Sequence, residues 1–277
     1  MKTGKLVRLA LGLALVALLV VILLPVVFLV LTSFKPTTEI MLDNALIPRH
    51  VTIENYFAVL NTTSFPIYIK NSLVVALTVS VYASAIASMA GYAVARYRRR
   101  HRALDLFARM LLLLQMFPLV LSVIPLYRTF QTFGLIDSLR SLILANGTFS
   151  LPFSIWLMSG FFEGIPVEME EAGVIDGCSR WQVFWRLVLP LSKPGVASAA
   201  IFTFINSWNE YMMANIFVKN DNMRTLPVGL AMYIQQFTSE WGSLMAASTI
   251  TLIPAALFLI FAQKYVVQGL TAGAVKG

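Results

Sequence analysis

Six long apolar runs divide the chain, and the segments between them hold most of the charged residues. From Leu9 to Ser33 there is no charge at all, and a helix of about 20 apolar residues crosses the hydrocarbon core of a bilayer. The pattern therefore predicts an all-α membrane protein, a single domain over residues 1–277 with six transmembrane helices. The predicted spans are 9–33, 67–95, 104–127, 138–160, 195–218 and 242–267.

The first run is too long for the core of a secretory signal peptide, and no small-x-small cleavage site follows it. We therefore expect an uncleaved first helix. Residues 34–66 mix prolines and charges and predict a water-exposed loop. Pro25 is a candidate for a kink in the first span, and Pro118 and Pro125 for bends in the third, because proline interrupts helical hydrogen bonding.

The composition points to the same class of protein. Hydrophobic residues make up 58% of the chain and charged residues 12%, against roughly 25% charged residues in a soluble domain. The mean hydropathy is +0.77. The net charge is +8, and the basic residues cluster beside the apolar runs. Membrane topology therefore explains the charge, and no nucleic-acid partner is predicted. Cys178 is the only cysteine, so an internal disulfide is impossible.

The distribution of Lys and Arg predicts the orientation, because cytoplasmic loops carry an excess of both. With the N-terminus inside, 14 basic residues face the cytoplasm and 7 face outward. Both termini and the loop 161–194 are then cytoplasmic. The inner set is Lys2, Lys5, Arg8, Arg96, Arg98, Arg99, Arg100, Arg102, Arg109, Arg180, Arg186, Lys193, Lys264 and Lys276. The outer set is Lys35, Arg49, Lys70, Arg128, Arg140, Lys219 and Arg224.

The loop 161–194 reads as two short helices joined by a tight turn. Pro166 suits a helix start, and Asp176-Gly177 supplies a glycine able to take positive φ after a helix that stops near Ile175. Ser179 and Gln182 have the spacing of a capping box, which predicts the start of the second helix. Trp181, Phe184, Trp185 and Val188 follow at helical spacing and predict one apolar face, and Pro190 and Pro194 are expected to end this helix.

The stretch Glu170-Glu171-Ala172-Gly173-Val174-Ile175-Asp176-Gly177, closed by Leu187-Val188-Leu189-Pro190, resembles the EAA loop of ABC importer permeases. Gly173 stands where that pattern has Ala. Ser207-Trp208-Asn209-Glu210, Thr225 to Leu230, Trp241 to Ala247 and the tail Gly269–Gly277 extend the resemblance over nearly the whole chain. Together they are similar to the shorter second permease of maltose-type carbohydrate importers.

This resemblance implies a non-catalytic subunit of a bacterial or archaeal inner membrane. It implies a second homologous permease, two ATPase subunits that hold ATP and magnesium, and an extracytoplasmic solute-binding protein. The substrate would be a carbohydrate: a mono- or oligosaccharide, a polyol or a glycerol phosphate. The tail Thr271–Gly277 would reach toward the ATPase. The residues that match the coupling positions are Glu170, Glu171, Ala172, Gly173, Asp176 and Gly177. The alternative is a hairpin that lies passively on the membrane surface, anchored by Trp181 and Trp185.

Glu210 is the one acidic residue expected well inside a span, where charge commonly marks a functional site. With Asn206 and Asn209 it is predicted to line a polar passage for sugar hydroxyls. The alternative is that Glu210 reaches the outer interface or pairs with the partner permease. Gln115 and Gln235 are further candidates. The basic run Arg96–Arg102 is interpreted as a cytoplasmic stop signal, with anionic lipid binding as the alternative.

Other chemistries lack their motifs. The sequence has no G-x-x-x-x-G-K-[ST] phosphate loop and no H-E-x-x-H, and His50 and His101 are far apart. No metal site and no catalytic site are therefore predicted. An ion-driven secondary carrier would normally show repeated halves, and an intramembrane enzyme would need paired catalytic groups within its spans. Neither pattern is visible.

Overall fold

The computed structural model describes residues 3–43, 45–61, 64–234 and 240–274. The described chain is helical, with no β-strand in these ranges. A π-helical turn, Phe184–Val188, joins α9 to α10, and a 3-10 turn, Asp221–Met223, precedes α13. The α-helices are α1 (Thr3–Ser33), α2 (Thr37–Leu42), α3 (Glu54–Asn61), α4 (Phe65–Tyr97), α5 (Arg102–Gln115), α6 (Leu119–Thr132), α7 (Leu139–Glu163), α8 (Val167–Ile175), α9 (Arg180–Val183), α10 (Leu189–Leu191), α11 (Lys193–Trp208), α12 (Met212–Phe217), α13 (Leu226–Ala231) and α14 (Trp241–Ala274).

Four helical segments among the described residues are long and apolar enough to cross a membrane. They are Val7–Ser33, Phe65–Tyr97, Leu139–Glu163 and Trp241–Phe261. Two further pairs of helices reach this length only if each bent pair counts as one span. The helices of the first pair, α5 and α6, meet at 104°, and those of the second, Arg180–Leu191 and α11, meet at 74°. The count of six spans stays a prediction.

Two of the predicted spans are interrupted in the structure. The run 104–127 is broken before Pro118, as predicted, whereas Pro125 lies inside α6 without ending it. The run 195–218 was predicted as one helix, but α11 ends at Trp208 and α12 begins only at Met212. The cause is local: both carboxylate oxygens of Glu210 accept backbone N–H groups, Met213 N at 2.7 Å and Ala214 N at 3.0 Å, and so start a new helix.

One compact unit comprises residues 66–228 and 254–277. Within it α4 is tied to two neighbours by side-chain hydrogen bonds. Ser80 Oγ donates to Ala200 O of α11 at 2.9 Å, and Tyr82 Oη donates to Ile143 O of α7 at 2.7 Å. A Cβ added at Gly91 would lie 2.8 Å from Met158 Cβ, so the glycine permits close packing of α4 on α7. Both apolar core clusters include residues of α4 and α7.

A second unit comprises residues 1–65 and 229–253. Within it Asn55 Nδ2 donates to Ser33 O at 2.9 Å and to Lys35 O at 2.8 Å. Gly242 packs directly on the Asn55 side chain, leaving no room there for a Cβ. Gln235 and the last three residues of the tail, 275–277, lie outside the described residues.

Candidate functional site

The turn between α8 and α9 has the hydrogen bonds of a Schellman motif. Cys178 N donates to Gly173 O at 3.0 Å and Gly177 N donates to Val174 O at 3.0 Å. Gly177 has φ +88, a conformation that glycine adopts without steric cost. The capping box follows at once: Ser179 N donates to Gln182 Oε1 at 2.8 Å, and Gln182 N donates to Ser179 Oγ at 3.3 Å. Both predicted turn elements are present, so the hairpin is held rigidly at its tip.

Contacts and backbone geometry within the hairpin itself explain why positions 173 and 177 are glycine. Gly173 is buried, and a Cβ there would lie 2.6 Å from Leu187 Cδ1 and 3.3 Å from Val183 Cγ2. Around Gly177, by contrast, nothing would lie within 4 Å of a Cβ. Gly173 is therefore required by packing inside the hairpin, and Gly177 by the turn, as its predicted positive φ indicates.

Adjacent glutamates of the motif face different surroundings. Glu170 Oε1 accepts from Arg96 Nε at 2.6 Å, and Glu170 Oε2 accepts from Tyr92 Oη at 2.7 Å. The side chains of Arg96 and Glu170 are only 9% and 12% exposed. Glu171 is exposed. Of this adjacent pair, the carboxylate of Glu170 is thus held by α4, and that of Glu171 is available to a partner.

The exposed surface of the hairpin combines this carboxylate with apolar side chains. Ala172 and Asp176 are exposed with Glu171, and Ile175, one helical turn after Glu171, is 84% exposed. Arg180 Nη1 donates to Tyr97 Oη at 3.1 Å. This bond raises the pKa of the Arg180 guanidinium above its usual value, so the residue stays positive. A cavity of about 510 Å³ is lined by residues of α8 and of the end of α4, with Glu171, Ile175 and Arg180 among them.

The second helix of the hairpin differs from its prediction. The rings of Trp181, Phe184 and Trp185 lie against one another, with centroids 5.3 to 5.9 Å apart. Phe184 and Val188 are buried, whereas Trp181 and Trp185 are exposed. Pro190 and Pro194, however, do not terminate a helix: each lies in the first turn of the next one. The π turn accommodates Pro190, because Leu189 N donates five residues back to Phe184 O and shifts the hydrogen-bond register.

A polar cavity of about 290 Å³ brings Glu210 and Asn206 together with Gln115. Asn146 and Ser150 of α7 also line it, and sequence reasoning missed both. Their signal was two polar side chains spaced i, i+4 in an apolar run. Asn209 does not line this cavity; its Nδ2 donates to Ile205 O at 2.9 Å. Among the residues that the structure describes, no group of three or more His, Cys, Asp or Glu side chains is placed to hold a metal ion.

Comparison with known proteins places this arrangement in a family. Residues 83–272 match the model of the binding-protein-dependent transport system inner membrane component. The chain belongs to this family. It is 36% identical to the trehalose/maltose transport system permease protein MalG of Thermococcus litoralis, with 100% of both chains covered. It is 35% identical to the sulfoquinovosyl glycerol transport system permease protein SmoH of Agrobacterium fabrum, with 92% of this chain and 89% of that protein covered.

The fold has a counterpart of known structure. A chain of a bacterial ABC transporter involved in the import of the acidic polysaccharide alginate matches with a TM-score of 0.82 and 20% identity. The match covers 96% of this chain and 98% of that chain. This chain therefore shares the helical fold of that transporter chain.

Proposed function

We propose that this chain is one of two homologous permease subunits of an ATP-driven carbohydrate importer in a bacterial or archaeal inner membrane. The relatives described above carry names of sugar and sugar-glycerol transport, which supports a carbohydrate substrate: a mono- or oligosaccharide, a polyol or a glycerol phosphate. Two ATPase subunits bind ATP and magnesium and hydrolyse the ATP. An extracytoplasmic binding protein delivers the substrate. The chain itself catalyses no reaction.

The observation that carries the proposal is the rigid hairpin that presents the exposed carboxylate of Glu171. A flexible loop would absorb the movement of a partner, whereas a short helix fixed by a Schellman turn and a capping box transmits it. Glu171 provides a negative charge for a basic group of the ATPase, and Ala172 and Ile175 provide a small residue and an apolar anchor beside it. This surface is cytoplasmic in the topology predicted from Lys and Arg.

The polar cavity at Asn206 and Glu210 is the best candidate for part of the substrate pathway. Its amide, hydroxyl and carboxylate groups offer both donors and acceptors, which sugar hydroxyls require. Because the Glu210 carboxylate also caps α12, its two roles have to be separated by experiment.

The coupling role is tested by Gly177→Val and Glu171→Lys in the assembled transporter. A β-branched residue at φ +88 is strained by about 1–3 kcal/mol, and Glu171→Lys places a positive charge where we expect a basic partner group. Both variants should lose co-purification with the ATPase or lose substrate-stimulated ATP hydrolysis and uptake in vesicles.

Two control variants separate coupling from general damage. Gly134→Val imposes strain at another positive φ, +64, outside the hairpin. Glu54→Lys reverses an exposed charge on α3. Both controls should dock and transport. Normal docking and coupling in Gly177→Val and Glu171→Lys would leave the hairpin as a passive element on the membrane surface, with Trp181 and Trp185 as its anchors.

A further inference from the structure

The end of α4 holds the hairpin through a partly buried clasp of three side chains, Tyr92, Arg96 and Glu170. Tyr92 and Arg96 are spaced i, i+4 and therefore lie on one face of α4. They occupy both carboxylate oxygens of Glu170, at 2.7 and 2.6 Å. Arg96 Nη2 also donates to Ile165 O at 2.9 Å, just before α8 begins. One guanidinium thus fixes both the entry to α8 and its middle.

The α4 helix is suited to carry movement away from this clasp. It is a single helix of 33 residues, about 50 Å long at 1.5 Å per residue. In its middle it is bonded to α11 and α7 through Ser80 and Tyr82. Near its other end Tyr68 Oη donates to Asp221 Oδ1 at 2.6 Å, and Asn71 Nδ2 donates to the carbonyl oxygens of Asn222 and Arg224 at 3.0 and 2.8 Å.

We propose that the Tyr92–Arg96–Glu170 clasp is the joint through which a displacement of the hairpin moves α4. Glu170 and Glu171 then have different roles. Glu171 contacts the ATPase, and Glu170 is a positioning residue that transmits the movement to the membrane helix α4. This inference rests on the proposed coupling function. A charge-assisted pair with restricted geometry is suited to such a joint, because bidentate and multiple bonds fix orientation as well as distance.

The test compares two double variants in the complete transporter reconstituted in vesicles. Arg96→Met/Glu170→Met removes the clasp without leaving a buried unpaired charge, which single substitutions would do. Arg98→Met/Glu163→Met is the matched control. That ion pair of 3.1 Å also joins the end of α4 to a neighbouring segment, but it is 36% and 40% exposed and lies outside α8.

Three quantities are measured: co-purification with the ATPase, the rate of ATP hydrolysis, and substrate molecules imported per ATP hydrolysed. The clasp variant should bind the ATPase and hydrolyse ATP, while its import per ATP falls about tenfold, within the usual range of coupling between distant sites. The control variant should keep the wild-type ratio.

Other outcomes overturn the inference in distinguishable ways. An unchanged import ratio in the clasp variant would mean that α4 takes its movement from another contact. Loss of ATPase binding in the clasp variant alone would make the clasp part of the docking surface and not a joint. Failure of the wild-type chain to bind any ATPase would overturn the proposed function, and this inference with it.

Discussion

Single residues of the hairpin take their roles from surroundings that the sequence does not display. Glu170 and Glu171 are identical in type and adjacent, yet one is held by Arg96 and Tyr92 and the other is exposed. Gly173 and Gly177 differ in the same way: the first meets Leu187, and the second has positive φ and open space. Their substitution by alanine should therefore have different consequences.

Gly177→Ala should lower the free energy of unfolding by about 1–2 kcal/mol, because a Cβ disfavours the left-handed conformation. Gly134→Ala should cost a similar amount, since Gly134 also has positive φ and no atom within 4 Å of an added Cβ. Gly173→Ala should cost less, because the nearest atom is the end of the flexible Leu187 side chain.

Thermal unfolding of the purified permease in detergent measures these differences, and substrate-stimulated ATP hydrolysis then separates the two strained variants. Only Gly177→Ala should lower it, since Gly134 lies outside the hairpin. A Gly173→Ala variant as unstable as Gly177→Ala would show that Leu187 cannot move aside.

Whole elements were predictable where the signals were local. Asp176-Gly177 and the Ser179/Gln182 pair fixed the turn of the hairpin because each acts through backbone groups a few residues away. The break at 209–211 was not predicted, because it depends on the direction of the Glu210 side chain. The contact of Glu170 with α4 was also missed, because it joins residues 74 positions apart.

Glu210 tests whether α12 owes its start to a side-chain cap. Glu210→Leu removes the acceptor for Met213 N and Ala214 N and should destabilise the permease by about 1–2 kcal/mol. Glu210→Gln retains one acceptor oxygen, so its thermal stability should lie between that of the wild type and that of Glu210→Leu. Asn206→Ala, in the same cavity but outside the cap, should affect uptake and leave stability nearly unchanged.

These variants also separate the two roles of the carboxylate. If the uptake rate falls in step with thermal stability from the wild type through Glu210→Gln to Glu210→Leu, the role of Glu210 is capping. If Glu210→Gln is stable yet transports no better than Glu210→Leu, the negative charge itself serves the pathway, and capping is secondary.

At the scale of the whole molecule, the two bent helix pairs decide whether the chain crosses the membrane four or six times. The two helices within residues 102–132 meet at 104°, and those within residues 180–208 meet at 74°. Both angles are compatible with a broken span or with a re-entrant loop. The 14-to-7 distribution of basic residues favours crossing, because it places the runs after α4 and within the hairpin on the inner side. The alternatives differ in the side on which each pair ends.

Labelling of single cysteines with a membrane-impermeant maleimide in intact cells decides between them, after Cys178 is replaced by Ser. If both pairs cross, the ends of each pair lie on opposite sides: residues 101 and 168 should be protected, and residues 131 and 222 should react. A re-entrant α5–α6 pair would instead leave residues 101 and 131 both protected. Equal labelling of residues 168 and 222 would likewise show that the second pair returns to the side it came from. That result would contradict the six-span topology and the placement proposed for the hairpin and the polar cavity. The substituted positions, all exposed, are Thr38 as the outer reference, His101, Gln131, Glu168 and Asn222.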